Sequence, residues 1–301
     1  MPVLFLIVLV DLIGFGIVIP LLPFYAEHLG AGPLTVTLAM AVYSLAQFVT
    51  SPLWGRLSDR IGRRPVLLAS LAGAVGAYLL LAWAPTLAML FLARAAAGAM
   101  AGNIAAAQAY VADVTPPAER ARGMGVIGAA FGLGFILGPA IGGTLAGHDP
   151  ADIDFVAPAL AAAGLSALAL LGTVFLLPES LDPAHRGAGT RRGRAAAARD
   201  AFGRPRLAGP IAVGFVAVAV FAGMETTFAL WSSRTFGWGP AQNGWLFAFV
   251  GVLGALVQGA AIGRLTPRLG EVRLLSAGLV LMAAGLGGIG LATAVPALFA
   301  A

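Results

Sequence analysis

Gly55–Leu71 reads G-R-L-S-D-R-I-G-R-R-P-V-L-L-A-S-L, and Gly263–Leu279 reads G-R-L-T-P-R-L-G-E-V-R-L-L-S-A-G-L. Eight of these seventeen positions are identical. Each copy follows an apolar run and precedes another, and those following runs also end alike, in L-A-W-A-P at Leu81–Pro85 and L-A-T-A-V-P at Leu291–Pro296. A match that returns together with its surroundings marks a duplicated structural unit. The fold therefore has to be read as a repeat, and the question becomes what one unit contains.

Composition answers in part. Of 301 residues, 59% are hydrophobic and 10% are charged, against about 25% charged in an ordinary soluble domain. The mean hydropathy is +0.93. A hydrocarbon core about 30 Å thick needs about 20 apolar residues per helix, and nine such runs occur: 3–25, 34–54, 66–84, 86–111, 124–145, 155–177, 208–232, 242–262 and 274–293. None alternates in the short segments of a β-barrel. The first run is too long for a signal peptide, has no basic start and carries Asp11 in its middle, so it reads as an uncleaved span.

All 18 basic residues are arginine, and sixteen fall in alternate loops: Arg56, Arg60, Arg63 and Arg64; Arg120 and Arg122; the seven from Arg186 to Arg206; and Arg264, Arg268 and Arg273. The intervening loops hold Glu27, His28, His148, Asp149, Asp152 and Asp154. The positive-inside rule then places the N-terminus and the arginine-bearing loops in the cytoplasm. The pI near 10.6 is thus topological, and the basic run at 186–206 has almost no aromatics for stacking on bases, so no nucleic-acid partner is expected. The expected organisation is a six-helix half over 1–178, a cytoplasmic Arg-rich linker over 179–207, and a partial second half over 208–301 holding helices seven to nine and the start of a tenth. Measured against the first half, the chain is expected to be a fragment or a natural truncation.

The segment Gly55–Arg64 resembles, almost position for position, the loop signature of the major facilitator superfamily. Gly55 is expected to permit close helix approach, Asp59 to sit near a helix N-terminus, Gly62 to reverse the chain, and Arg60, Arg63 and Arg64 to anchor the loop and pair with acids such as Asp59 and Asp113. In the return copy Pro267 replaces the acid and Glu271 and Val272 replace the paired arginines. The resemblance implies that this loop latches against the other half and biases the conformational switch. Gly134, Gly138, Pro139, Gly142 and Gly143 resemble the signature of proton-driven antiporters within the superfamily; small residues at that spacing form a flat packing face, and Pro139 removes a backbone donor. By contrast, Gly123, Gly125 and Gly128 match a dinucleotide fingerprint only in spacing. No strand precedes them, and a nucleotide site is rejected.

Ionisable residues inside spans are functional candidates by default. Asp11 opens D-L-I-G-F-G-I-V-I-P-L-L-P, which resembles the first helix of the drug:proton antiporter branch, including the tetracycline-efflux group. Arg94, with Gly98, resembles the superfamily's fourth-helix motif, and the resemblance implies a proton-coupling role. Glu225 lies in the seventh span. A carboxyl whose neighbours change between two conformations can load a proton on one side and release it on the other. Asp11 and Glu225 are the candidate titrating groups and Arg94 their charge partner; a permanent Asp11–Arg94 ion pair and a solvent-facing Glu225 are the plainer readings. Gln47, Asn103, Gln108 and Gln258 either line a cavity or join helices by hydrogen bonds. Where tetracycline exporters carry acids, this chain has Ala77 and Met282, so a tetracycline-type substrate is not implied.

With no cysteine and with His28, His148 and His185 far apart, no metal site is expected, and no nucleophile–base pair points to an enzyme. The expected protein is an all-α, multi-pass transporter of the bacterial inner membrane with the major facilitator fold. It is monomeric and cofactor-free, is driven by the proton gradient, and exports drug-like amphipathic molecules, with antibiotic resistance as the implied outcome. A metabolite or sugar carrier, or a non-transporting membrane protein, is the alternative.

Overall fold

The computed structural model describes residues 2–116, 119–181, 203–257 and 262–300. Among these every regular element is a helix: α1 (Pro2–Val18), α2 (Leu22–His28), α3 (Pro33–Ile61), α4 (Arg63–Ala82), α5 (Leu87–Met100), α6 (Asn103–Val114), α7 (Arg120–Ala146), α8 (Val156–Leu176), α9 (Pro205–Phe236), α10 (Pro240–Leu256), α11 (Gly263–Leu269), α12 (Glu271–Leu291) and α13 (Val295–Ala300). Eight stretches among the described residues are long and apolar enough to cross a bilayer. The remaining expected span is α10, whose 17 residues run up to the end of a described segment. Gln258 and most of the Arg-rich linker lie outside the described residues.

Two of the expected runs are broken helices. Pro20 interrupts the first between α1 and α2, since it lacks the N–H that a continuing helix would donate. The fourth breaks at Ala101–Gly102, between α5 and α6. Ser70 staples this second break: its hydroxyl donates to the Met100 carbonyl and accepts from the Asn103 N–H at 3.0 Å. Trp54 Nε1 donates to the Ala99 carbonyl at 2.6 Å. The backbone groups freed by the break are thereby satisfied within the protein, as an apolar surrounding requires.

The duplicated stretch is not a loop but a corner. Gly55–Ile61 form the last turns of α3, Gly62 alone turns the chain at φ +112°, and α4 starts at Arg63. The return copy has the same form: α11, then Gly270 at φ +78°, then α12. Both corners need a φ that only glycine adopts freely, which is why the second glycine of the signature survives in both copies.

α1 runs through the centre, with α7 and α8 against it and α4 packed on α8 and α5. Its buried residues divide between two apolar clusters. One gathers Leu4, Ile7, Val8 and Leu12 with Val66, Leu67, Leu71, Ala106, Ala107 and Ala169. The other gathers Ile13, Ile17 and Val18 with Tyr78, Leu81, Leu90, Ala159 and Ala162. Between the clusters each helix contributes a polar residue: Asp11, Ser70, Arg94, Asn103 and Ser166, four of them buried. Ser166 is the middle residue of the 21-residue α8, so at 1.5 Å per residue this polar layer lies about 15 Å from either end of that helix, near a bilayer midplane.

Candidate functional site

Asp11 is the centre of the layer. Its carboxylate accepts from the Ser166 hydroxyl at 3.3 Å and from the Asn103 amide, so α8 and the start of α6 each hold one oxygen. Asn103 reaches it because the break at Ala101–Gly102 turns the start of α6 inward. A cavity of about 150 Å³ opens beside the carboxylate, bordered by Asp11, Phe15, Tyr43, Gln47, Tyr78, Asn103 and Phe131 among others. Of the polar candidates named from the sequence, Gln47 and Asn103 line this chamber, whereas Gln108 is exposed on α6.

Arg94 is buried on α5, but it does not pair with Asp11. Its guanidinium lies over the Tyr43 ring, with Cζ 4.6 Å from the centroid, and no ion pair joins it to a carboxylate among the described residues. The permanent Asp11–Arg94 bridge is therefore corrected: in this conformation Asn103 and Ser166, both uncharged, hold the carboxylate. Gly98, one turn after Arg94, is what brings the helices this close, because a Cβ there would strike the Tyr43 carbonyl. Glu225 is half-buried on α9, outside the chamber. The structure does not bring it together with Asp11. Ser166, Ser70 and Tyr43 were not singled out from the sequence; isolated hydroxyl residues in apolar runs carry no spacing signal. Asn103 directly after Gly102 was the one visible hint of the break.

At the Gly62 corner the signature residues take up distinct tasks. The Arg63 guanidinium donates to Asp59 at 2.5 Å, to Asp113 at 2.9 Å and to Ser58 at 3.0 Å, which agrees with the expected pairing. Arg64 donates to the Thr173 and Val174 carbonyls at 3.3 and 2.6 Å, while Arg60 is exposed. The acid at the N-terminus of α4 is Glu179, not Asp59: it accepts from the Arg63 and Arg64 N–H groups at 2.9 and 3.2 Å. Asp59 sits at the end of α3, on the wrong side of the corner for that task. Gly55 does not mediate a close approach either, since a Cβ on it would meet nothing within 4 Å. Among the described residues, the polar partners of the corner lie between Ser58 and Ser180, inside the first group of helices, and none latches to the second.

The glycine series on α7 behaves as a packing face, and on two sides. A Cβ on Gly134 would fall 2.7 Å from that of Leu12, and one on Gly138 2.6 Å from the Gly16 Cα; one on Gly142 would strike the Ile17 carbonyl. These three face α1. Gly143 faces Pro240 of α10 instead, and Pro139 serves both sides, its ring against Gly16 of α1 and its carbonyl against Gly244 of α10.

The chain is therefore a multi-pass helical membrane protein with a buried carboxylate in a midplane layer and a glycine-lined helix between two groups of helices. The family profile described as the Major Facilitator Superfamily matches residues 4–301. The chain belongs to that superfamily. The class C tetracycline resistance protein of Escherichia coli is 36% identical over 289 residues, covering 92% of this chain and 70% of its own length. Among solved structures, the human organic anion transporter MFSD10 (TETRAN) aligns with a TM-score of 0.70 at 29% identity, over 99% of this chain and 79% of that one. A bacterial homolog of the human lysosomal transporter Spinster, in an inward-facing and unoccupied conformation, aligns at a TM-score of 0.74 and 18% identity, over 99% of this chain and 69% of that one, and shares the fold. The superfamily consists of transporters, and the tetracycline resistance relatives support a drug-efflux transporter.

Proposed function

We propose that this major facilitator chain belongs to a proton-coupled exporter of amphipathic, drug-like small molecules, working by alternating access between a first half over 1–178 and a second beginning at 208. The observation that carries the proposal is the Asp11 carboxylate, 8% exposed in the midplane layer, held by two uncharged donors and opening on a chamber. A carboxyl with no fixed counter-ion changes its proton affinity when its surroundings change, and that is the property coupling needs. The chamber, about 150 Å³, is smaller than the roughly 300–1,000 Å³ of drug-sized sites. It is the proton site, and the cargo binds between the halves.

Similarity to tetracycline resistance proteins favours export of a drug-like cargo. Ala77 and Met282, at positions where the tetracycline-efflux group is expected to carry acids, favour a cargo other than tetracycline itself. The N-terminus and the Gly62 corner face the cytoplasm of a bacterial inner membrane, on the arginine distribution. The carrier acts as a monomer driven by the proton gradient, without cofactor. Everted vesicles energised to an inside-acid gradient give the test. Adding a substrate from a toxic-compound panel is expected to release protons with the wild-type chain and not with Asp11→Asn. Proton release that survives Asp11→Asn removes Asp11 from coupling, and absence of any substrate-dependent pH change defeats the antiporter reading.

A further inference from the structure

A buried guanidinium and a buried carboxylate in one polar layer normally pair, because each left alone in an apolar surrounding is costly. In this layer they do not. Asp11 is held by Asn103 and Ser166. Arg94, 6% exposed, leaves its Nε without a hydrogen-bond partner. One residue touches on both: Tyr43. Tyr43 borders the chamber that holds Asp11, whereas Arg94 does not, and Arg94 lies against the Tyr43 ring.

The ring is fixed on two sides. Phe15 of α1 packs on it with centroids 5.2 Å apart, and Phe15 in turn meets Phe135 of α7 edge-on at 6.3 Å. Behind it, Gly98 leaves α5 no side chain between itself and the Tyr43 carbonyl, so Arg94, one turn away, is brought under the ring face. A cation over an aromatic face gains a partner without a carboxylate.

We propose that Tyr43 is a positioning residue: its ring, seated by Gly98 and Phe15, occupies the Arg94 guanidinium and holds it out of the chamber, so that Asp11 keeps no permanent counter-ion. This rests on the reading of Asp11 as the group that exchanges the proton. It adds that the exchange depends on an aromatic partition supplied by α3. The titratable or charged groups facing the carboxyl are Tyr43 of α3, Tyr78 of α4 and, behind the ring, Arg94 of α5; α6, α7 and α8 present Asn103, Phe131 and Ser166, none of which titrates.

The test needs no substrate. In the purified full chain in lipid, the carboxylic C=O infrared band that disappears in Asp11→Asn is followed against pH. Tyr43→Phe, which keeps the ring, is expected to leave the midpoint where it is. Tyr43→Leu releases Arg94 toward Asp11, and the midpoint is expected to move to a proton concentration about 10- to 1,000-fold higher, the effect of an arginine placed beside an aspartate. Arg94→Gln added to Tyr43→Leu is expected to reverse that move. Should Tyr43→Leu melt before it can be titrated, Tyr43→Met serves in its place. Arg94→Gln with Tyr43 intact gives an independent measurement, expected to move the midpoint by less than about 10-fold.

An unchanged midpoint in Tyr43→Leu overturns the proposal. So does a shift that Arg94→Gln fails to reverse, a large shift in Arg94→Gln alone, or the absence of any band lost in Asp11→Asn. The role of Asp11 in transport fails separately: the titrations can all come out as expected while Asp11→Asn still exports with proton release. That combination removes the coupling assignment and leaves the partition standing.

Discussion

Arg63 shows how one side chain binds three elements at a helix corner. Its side chain is 9% exposed and bridges Asp59 of α3 and Asp113 of α6, whose side chains are 46% and 23% exposed. Removing the guanidinium strands Asp113 in a partly buried position, while the more exposed Asp59 regains water. Arg63→Gln is therefore expected to lower stability by about 1–3 kcal/mol, toward the lower end of what a broken buried network costs. Arg60→Gln, on an exposed neighbour, is expected to stay within about 0.5 kcal/mol. Thermal melting of both variants in detergent checks the contrast. At this scale the sequence was legible where charge stood out: Asp11, and the Arg63 pairing with Asp59 and Asp113, are visible because ionisable groups are expensive in or beside apolar runs. Ser166 was not, since a single serine is tolerated in a span and its partner lies 155 positions away. Glu179 was missed for a similar reason: its role depends on α8 ending beside the start of α4, which no local spacing encodes.

α7 offers a controlled comparison at the scale of an element, because its glycines are not equivalent. Gly138 lies against Gly16, and an added Cβ would sit 2.6 Å from the Gly16 Cα and 2.8 Å from the Ile13 carbonyl, both backbone atoms that cannot swing aside. Gly132, on the same helix, has nothing within 4 Å of that position. Gly138→Ala is expected to force α1 and α7 apart at a cost of about 1–3 kcal/mol. Gly132→Ala is expected to be neutral or slightly stabilising, since alanine is the better helix former by about 1 kcal/mol. Equal melting temperatures for the two variants would show that the α1–α7 contact does not constrain the fold. The packing face was legible from the small-residue spacing; its two-sidedness was not, because spacing does not say which helix lies on which flank. The breaks at Pro20 and at Ala101–Gly102 were also absent from the reading of long apolar runs. A search for about 20 consecutive apolar residues is blind to a kink whose freed backbone groups are satisfied by Ser70 and Trp54, from other helices.

Across the whole molecule, the helices around α1 meet α9 and α10 at the end opposite the Gly62 corner. There Arg234 donates to Glu27 at 2.9 Å, the Ala241 N–H donates to the Gly147 carbonyl at 3.1 Å, and Leu230 is buried in the apolar cluster of α1, α2 and α4. The backbone contacts of Gly239 with His148 and of Pro240 with Gly143 extend the seam, which α7 and α10 continue inward at Pro139–Gly244 and Ile136–Gly251. If the arginine-rich end is cytoplasmic, this seam closes the outer side, and an exporter must part it in each cycle. Most of the seam is backbone and apolar packing; among the described residues the ion pair is its one charged component, with side chains 63% and 34% exposed. An exposed pair of this kind contributes about 0.2–1 kcal/mol, so its loss should raise the population of the parted state about 1.4- to 5-fold. The chain contains no cysteine, so Leu230→Cys supplies a single reporter beneath the seam. In that background Glu27→Gln is expected to speed labelling by a membrane-impermeant maleimide added from outside by that factor, and exchanging the charges, with Glu27→Arg and Arg234→Glu together, is expected to restore the slow rate. The difference should fade in high salt, because exposed charges are screened. Labelling that Glu27→Gln leaves unchanged would show that apolar contacts alone hold the seam, and equal acceleration from the arginine-rich side would show that it is not a closure of one face.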